Sequence, residues 1–390
     1  MILNQLHTTD GKSVHIRTDG GTIARVQSEA FTNNNEPRLY FDDALVLPGL
    51  INSHDHLEFN LYPQLGDRTY ENYTQWGPYI HEKHQAEIAQ IQSIPNYLRV
   101  QWGAYKNLLA GVTTVVNHGE NVVADELPIH VHQDVHNLHS PGFEKNWRLR
   151  LNNPLKKKLP MVIHAGEGVD KAAYREINQL IGWNLLKRKM VAVHGVAMTP
   201  LQASRFKALV WCPQSNYFLL NKTAEISTLK TRVRILFGTD STLTSHWDIW
   251  EHIDLARITG YLSDRELFDS LSKTPASVWG LNKGSVEAGR DADLVVMKKD
   301  NIAQGFDAAL TGSPEKILLV MQDGEIRLID AELTPQLNES FKVKDYSLIR
   351  IGDSFKYVHG RLDELIAAIK THLPGVELPV EIAEGIPVAT

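Results

Sequence analysis

The sequence predicts an α/β protein: a (β/α)8 barrel over residues 49–284, with a small β-sandwich built from both chain ends, 1–48 and 285–345. Three observations lead there. Between 49 and 284 short apolar runs alternate with helical stretches, the pattern of a parallel sheet wrapped by helices. Those runs end in a polar or ionisable residue, at His54, His118, His164, His194, Cys212 and Asp240. A chain of 390 residues also exceeds one ordinary core, yet suits a barrel of about 250 residues with a satellite.

Taken in order, residues 1–47 carry short alternating patterns such as Ser13-Val14-His15-Ile16-Arg17, broken by Asp19-Gly20-Gly21 and by Asn33-Asn34-Asn35. They read as small strands and tight turns. Strand character returns at Ala292-Asp293-Leu294-Val295-Val296-Met297 and Ile317-Leu318-Leu319-Val320-Met321, followed by the turn pair Asp323-Gly324. Within the barrel, 197–210 reads as a crossover helix with Thr199 as N-cap and Pro200 at the first helical position. The third and fourth barrel strands are indistinct; Ile129-His130-Val131-His132 and Arg148-Leu149-Arg150-Leu151 are the candidates. Residues 346–390, with an amphipathic helix over 362–369, read as a packing extension of unknown role.

Composition excludes several classes of function. Hydrophobic residues make up 43% and charged residues 22%, as in ordinary globular proteins, and no apolar run is long enough to cross a bilayer. The formal net charge of −6 and pI near 6.3 give no footprint for nucleic acid; Lys156-Lys157-Lys158 reads as a solvated loop. The single cysteine, Cys212, rules out an intramolecular disulfide and a thiolate-rich metal site. Met1-Ile2-Leu3-Asn4-Gln5-Leu6 lacks the basic and apolar segments of a secretory signal, so the expected location is the cytoplasm.

The strand ends carry the chemistry. The run Ala44 to Ser53 ends in His54-Asp55-His56, and period-two alternation turns both imidazoles to one face, where they can share a divalent ion. By itself a His-x-His pair carries little. Met161-Val162-Ile163-His164-Ala165-Gly166-Glu167-Gly168 adds a histidine and, three residues later, a carboxylate in a glycine-flanked turn. There Glu167 can sit near the reacting atoms without coordinating, as a general acid/base requires. Met190 to Val193 ends in His194, which read alone is as well explained as a satisfied core histidine; Arg234 to Thr239 ends in Asp240, whose burial is costly unless it is paired or binds a metal.

In this order, His-x-His, His-x-x-Glu, His and Asp resemble the amidohydrolase superfamily, in its cytosine deaminase, guanine deaminase and triazine hydrolase branch. The resemblance spans roughly residues 45–297. It is supported by Leu47-Pro48-Gly49-Leu50-Ile51-Asn52, Ala110-Gly111-Val112-Thr113-Thr114-Val115, Cys212-Pro213-Gln214-Ser215-Asn216, Thr274-Pro275-Ala276 and the tail Gly284 to Leu294. It implies His54, His56, His164 and Asp240 as metal ligands, Glu167 as proton shuttle and His194 as the residue orienting the attacking water. Binuclear members add a carboxylated lysine at the fourth strand; 128–139 contains none, so the resemblance implies one divalent ion per chain, zinc first, with iron and manganese open.

The expected function is hydrolysis of a non-peptide C–N bond in a small molecule, as deamination of a heterocycle or amidine. A ring-opening amidase resembling imidazolonepropionases is the alternative within enzymes, and a barrel that binds without catalysing the alternative outside them. Candidate substrate contacts are Glu58, in register beyond the histidine pair, His118, Trp76, Gln214, Asn216 and His246. His130, His132, His136 and His139 read as separate structural or pocket residues. No nucleic-acid or membrane partner is expected, and a homodimer stays open. His81-Glu82-Lys83-His84 misses the helical zinc-protease spacing by one residue, and no Gly-x-Gly-x-x-Gly is present.

Overall fold

The computed structural model describes residues 1–32, 36–122, 127–299 and 304–385, the side chains of residues 338 and 339 excepted. The Asn33-Asn34-Asn35 stretch lies outside the described residues. At the centre are eight parallel strand segments. Leu50–Asp55, Val112–Asn117 and His130–His132 pair in chain order. His136–Leu138, Met161–Ala165, Met190–His194, Ala208–Trp211 and Arg234–Phe237 do the same. The end of the last strand closes on the first, where the backbone N–H groups of Thr239 and Asp240 donate to the His54 carbonyl at 3.1 and 3.0 Å. Gly238 permits that approach, since a Cβ there would stand 2.8 Å from the Cβ of His54.

The third and fourth strands are joined by Gln133, Asp134 and Val135 alone. A parallel crossover with a helix takes a dozen or more residues, so the run 130–138 instead leaves the first sheet and joins the second. The fourth strand is therefore His136–Leu138, not Arg148–Leu151. The latter lies in the helix Trp147–Leu151. There Trp147 and Leu151, four apart, are buried on one face while Leu149 is 76% exposed, the helical period rather than strand alternation. The crossover helix is also shorter than expected: it spans Pro200–Ala203, with Thr199 and Gln202 forming a reciprocal capping box.

Strands from both chain ends share one ten-stranded sheet. Arg38–Pro48 lies at its middle, between Ile2–His7 and Leu294–Lys298, and leads directly into the first barrel strand. The hairpin between Ile317–Gln322 and Glu325–Asp330 turns at Asp323 and Gly324 with φ of +50° and +78°, the positive pair that a two-residue turn matching strand twist requires. Tyr346–Ile351, Ser354–His359 and Glu381–Ile382 extend the far side of this sheet. The helix Leu362–His372 buries Leu362, Leu365, Ile366 and Ile369 and contacts the helix Asn96–Leu109. No helix among the described residues is long and apolar enough to cross a membrane.

Between the first and second barrel strands the chain makes an excursion, through Leu57–Phe59, Tyr73–Lys83 and Gln85–Gln92. Residues of all three segments line the cavity above the strand ends.

Candidate metal centre

Alternation along Leu50–Asp55 turns His54 inward and sends Asp55 to the other side. Asp55 is fully buried and accepts from Lys106 Nζ at 3.0 Å, Asn107 Nδ2 at 2.8 Å and Asn60 Nδ2 at 2.8 Å. This network holds the strand from behind. On the inner side His54 Nε2 stands 3.1 Å from His164 Nε2, and Asp240 Oδ1 lies 3.8 Å from His54 Nε2 and 3.7 Å from His56 Nε2. One donor atom from each of His54, His56 and His164 lies within 4.8 Å of the others, and the same holds for His54, His194 and Asp240.

His194 and Asp240 adopt left-handed backbone conformations, with φ of +70° and +59°. Such conformations are costly for residues other than glycine and concentrate at functional sites. Asp240 is further fixed by hydrogen bonds: Oδ2 accepts from Ser215 Oγ at 2.8 Å and Thr244 Oγ1 at 3.2 Å, and Oδ1 from the Ser241 N–H at 2.9 Å. Neither Ser215 nor Thr244 was singled out from the sequence; hydroxyl residues near an aspartate give no distinctive signal.

Burial sets the protonation pattern. It pushes the His54 and His164 imidazoles well below their ordinary range, and neighbouring histidines add to the effect. Burial also lowers His194 to about 4, against the pull of Asp240. The Glu167 carboxyl moves the other way, well above the carboxylate range, through burial and then the proximity of Asp240 and Glu176. Its Oε1 is 3.6 Å from His194 Nε2. Neutral imidazoles with facing lone pairs beside a carboxylate are the donor set a divalent cation takes. Two Nε2 atoms 3.1 Å apart can share only one proton, whereas both can turn lone pairs on a cation. The residues fit a metal.

Two sets of contacts hold Glu167 and His194 in place. The Gly166 N–H donates to Glu176 Oε1 at 3.0 Å, and Tyr73 Oη donates to Glu176 Oε2 at 2.5 Å. The Tyr73 N–H meets the Glu167 carbonyl at 3.1 Å, and the Val169 N–H meets that of Glu71 at 2.7 Å. The roof segment is thus stitched to the turn bearing Glu167. Behind His194, Asn216 Nδ2 stands 2.9 Å from Nδ1, Thr223 Oγ1 donates to Asn216 Oδ1 at 3.2 Å, and Trp211 Nε1 donates to Thr223 Oγ1 at 2.7 Å.

Among the candidate substrate contacts, Trp76 lines the cavity above this centre, together with His56, His164, Glu167, His194 and Asp240. The others do not line it. Glu58 faces a neighbouring cavity with His118, because the strand stops at Asp55 and the turn Leu57–Phe59 breaks the register that would have carried Glu58 inward. His118 is buried, its ring stacked on His164 with centroids 4.4 Å apart. Asn216 is buried behind His194 on the helix Pro213–Leu220. Gln214 Oε1 accepts from the His246 N–H at 2.8 Å, and His246 faces a separate cavity. His139 and Phe143 do line the site cavity. His139 was visible in the sequence as one of four histidines in the 130–139 stretch, whereas Phe143 sits in a loop and carries no periodic signal.

Eight parallel strand segments with imidazoles and carboxylates gathered at their C-terminal ends are the framework on which barrel enzymes build metal-dependent sites. Comparison narrows the class: residues 155–327 match the model of the amidohydrolase family. No curated protein matches it in sequence. Among solved structures it shares its fold with an adenosine deaminase from Xanthomonas campestris with bound zinc, at TM-score 0.70 and 15% identity, over 96% of this chain and 97% of that one. An atrazine chlorohydrolase from Arthrobacter aurescens TC1, complexed with zinc, gives TM-score 0.71 and 15% identity over 96% and 100%. A guanine deaminase from C. acetobutylicum gives 0.64 and 16% over 83% and 99%.

Proposed function

We propose that this chain is a metal-dependent hydrolase of a non-peptide C–N bond in a small molecule, acting by deamination of a heterocycle or amidine. His54, His56, His164 and Asp240 would hold one divalent ion, zinc by preference. Bound there, such an ion would lower the pKa of a water to about 7 and supply a nucleophile at neutral pH. Glu167 moves the proton: it takes one from the attacking water and hands it to the departing nitrogen. His194 points its Nε2 at Glu167 and holds the water in line, while Ser215 and Thr244 keep the Asp240 carboxylate turned to the histidines.

The observation that carries this reading is the Glu167 carboxyl, buried, raised and 3.6 Å from His194 Nε2, beside the His54–His164 pair. A metal site with no catalytic duty needs no protonatable acid at that place. The test is ammonia release by zinc-loaded protein across purines, pyrimidines, triazines, guanidines and cyclic amides. Glu167→Gln is expected to keep its metal and lose about 10²-fold or more of the rate. Ring opening without ammonia would turn the reading to a cyclic amidase, and an unaffected Glu167→Gln rate would remove Glu167 from the chemistry.

A further inference from the structure

We infer that the substrate is a neutral molecule whose scissile C–N group is joined to an apolar, ring-sized body, and that anionic substrates are excluded. This rests on the reading of the site as a C–N hydrolase and adds what the rest of the cavity selects. The cavity measures about 390 Å³, within the range of small-molecule sites, and the metal centre occupies only its base. Its walls are Phe59, Trp76, Ile80, Phe143, Leu219 and Leu243.

Three of the polar side chains around those walls are already engaged. Trp76 Nε1 donates to the Leu65 carbonyl at 2.7 Å, and Tyr73 Oη donates to Glu176 at 2.5 Å. Thr244 Oγ1 donates to Asp240. What remains towards the cavity is mostly ring faces and aliphatic carbon, with the side chains of Tyr62, His139 and Ser241 as the polar additions. Phe59 also stacks on His56, with centroids 5.3 Å apart and planes at 23°, giving a flat wall beside the metal centre. A ring against these surfaces leaves water on both sides of the contact, which favours binding.

Charge completes the selection. Among the described residues lining the cavity there is no lysine or arginine, and the carboxylates are Glu167 and Asp240, both at the base. A carboxylate or phosphate carried on the body of the substrate, away from the metal centre, would lose its hydration with no lysine or arginine among the wall residues to meet it. A heterocycle with polar edges and no apolar body would leave those edges against ring faces. The polar side chains His81 and Gln92 are exposed and stand at the rim.

The test uses three probes with one diaminotriazine head: phenyl-substituted, para-carboxyphenyl-substituted and unsubstituted. Calorimetry on the zinc-loaded full chain should show the phenyl compound binding about 10-fold or more tightly than either other. Equal or tighter binding of the carboxyphenyl or unsubstituted compound, or no binding of the phenyl compound, would overturn the inference. Phe143→Arg places a cation at a wall position that is 43% exposed, where the fold tolerates it. It should tighten the carboxyphenyl compound about 10-fold with unchanged circular dichroism; no gain in a folded variant would count against the inference. Ammonia release from the same samples separates the two readings. Phenyl preference without hydrolysis of any tested C–N compound leaves the cavity inference standing and removes the hydrolase reading. Hydrolysis of all three probes at similar rates does the reverse.

Discussion

Asn216→Asp is the sharpest perturbation of the acid/base pair, because a chain of hydrogen bonds fixes which nitrogen of His194 carries the proton. The Trp211 indole N–H can only donate, so the Thr223 oxygen accepts from it and turns its own hydrogen to Asn216 Oδ1. The Asn216 amide therefore presents N–H to His194 Nδ1 at 2.9 Å, which makes Nδ1 the acceptor and leaves the proton on Nε2, towards Glu167. The opposite tautomer would set two buried donors against each other, at about 1–3 kcal/mol each, or roughly 30-fold to 10⁴-fold against it. With His194 lowered to about 4, the ring is neutral at pH 7. An aspartate at 216 keeps the shape, still accepts from Thr223, and accepts from Nδ1 instead of donating to it. It should draw a proton onto Nδ1 and raise the His194 pKa by a unit or more. Nitrogen-15 NMR of histidine-labelled, zinc-loaded protein reads the site directly: Nδ1 unprotonated in the wild type and protonated in the variant. The hydrolysis rate should fall about 10²-fold or more with metal content unchanged. A protonated Nδ1 in the wild type, or a variant with the same spectrum and rate, would refute the tautomer assignment.

Two further perturbations test the surroundings. Lys106→Met leaves Asp55 buried without its cation, 3.0 Å away in the native protein; urea unfolding should register a loss of about 3–5 kcal/mol, and a loss below about 1 kcal/mol would show that the amide partners suffice. His252 is fully buried and its pKa is lowered to about 3 by burial, against the hydrogen bond to the His246 carbonyl. A lowered pKa means that the unfolded chain binds a proton which the folded one does not. The contribution of His252 is therefore intact above pH 6.5 and declines as the pH falls towards 3. The slope is about 1.4 kcal/mol per pH unit. His252→Phe should flatten the stability–pH curve by that slope between pH 6.5 and 5; superimposable slopes would contradict it.

The strand ends were the legible part of this chain, for a physical reason. A buried parallel strand is an almost unbroken apolar run, so a histidine or aspartate closing it stands out, and the barrel topology then gathers these residues at one mouth. Short strands gave no such signal: His136–Leu138 is three residues long, two of them polar, whereas Arg148–Leu151 mimics alternation while belonging to a helix. Register arguments held only as far as the strand did, which is why Glu58 went astray. Side chains that act through others were hidden for another reason. Ser215, Thr223 and Tyr73 meet partners as many as 103 residues away in sequence, and Asn216, expected at the substrate, meets His194 instead. Lys106 reads from sequence as one more surface lysine on a helix, and only the packing of Asn96–Leu109 on the turn Leu57–Phe59 and on the second barrel strand buries it against Asp55.

X-ray fluorescence at the zinc edge with an anomalous difference map from crystals of the zinc-loaded protein tests the metal centre most directly. The proposed ligand set predicts a single anomalous peak within about 2.0–2.2 Å of His54, His56, His164 and Asp240, absent in crystals of His164→Ala and Asp240→Ala. A peak elsewhere, two peaks, or full occupancy in both variants would contradict the proposed ligand set.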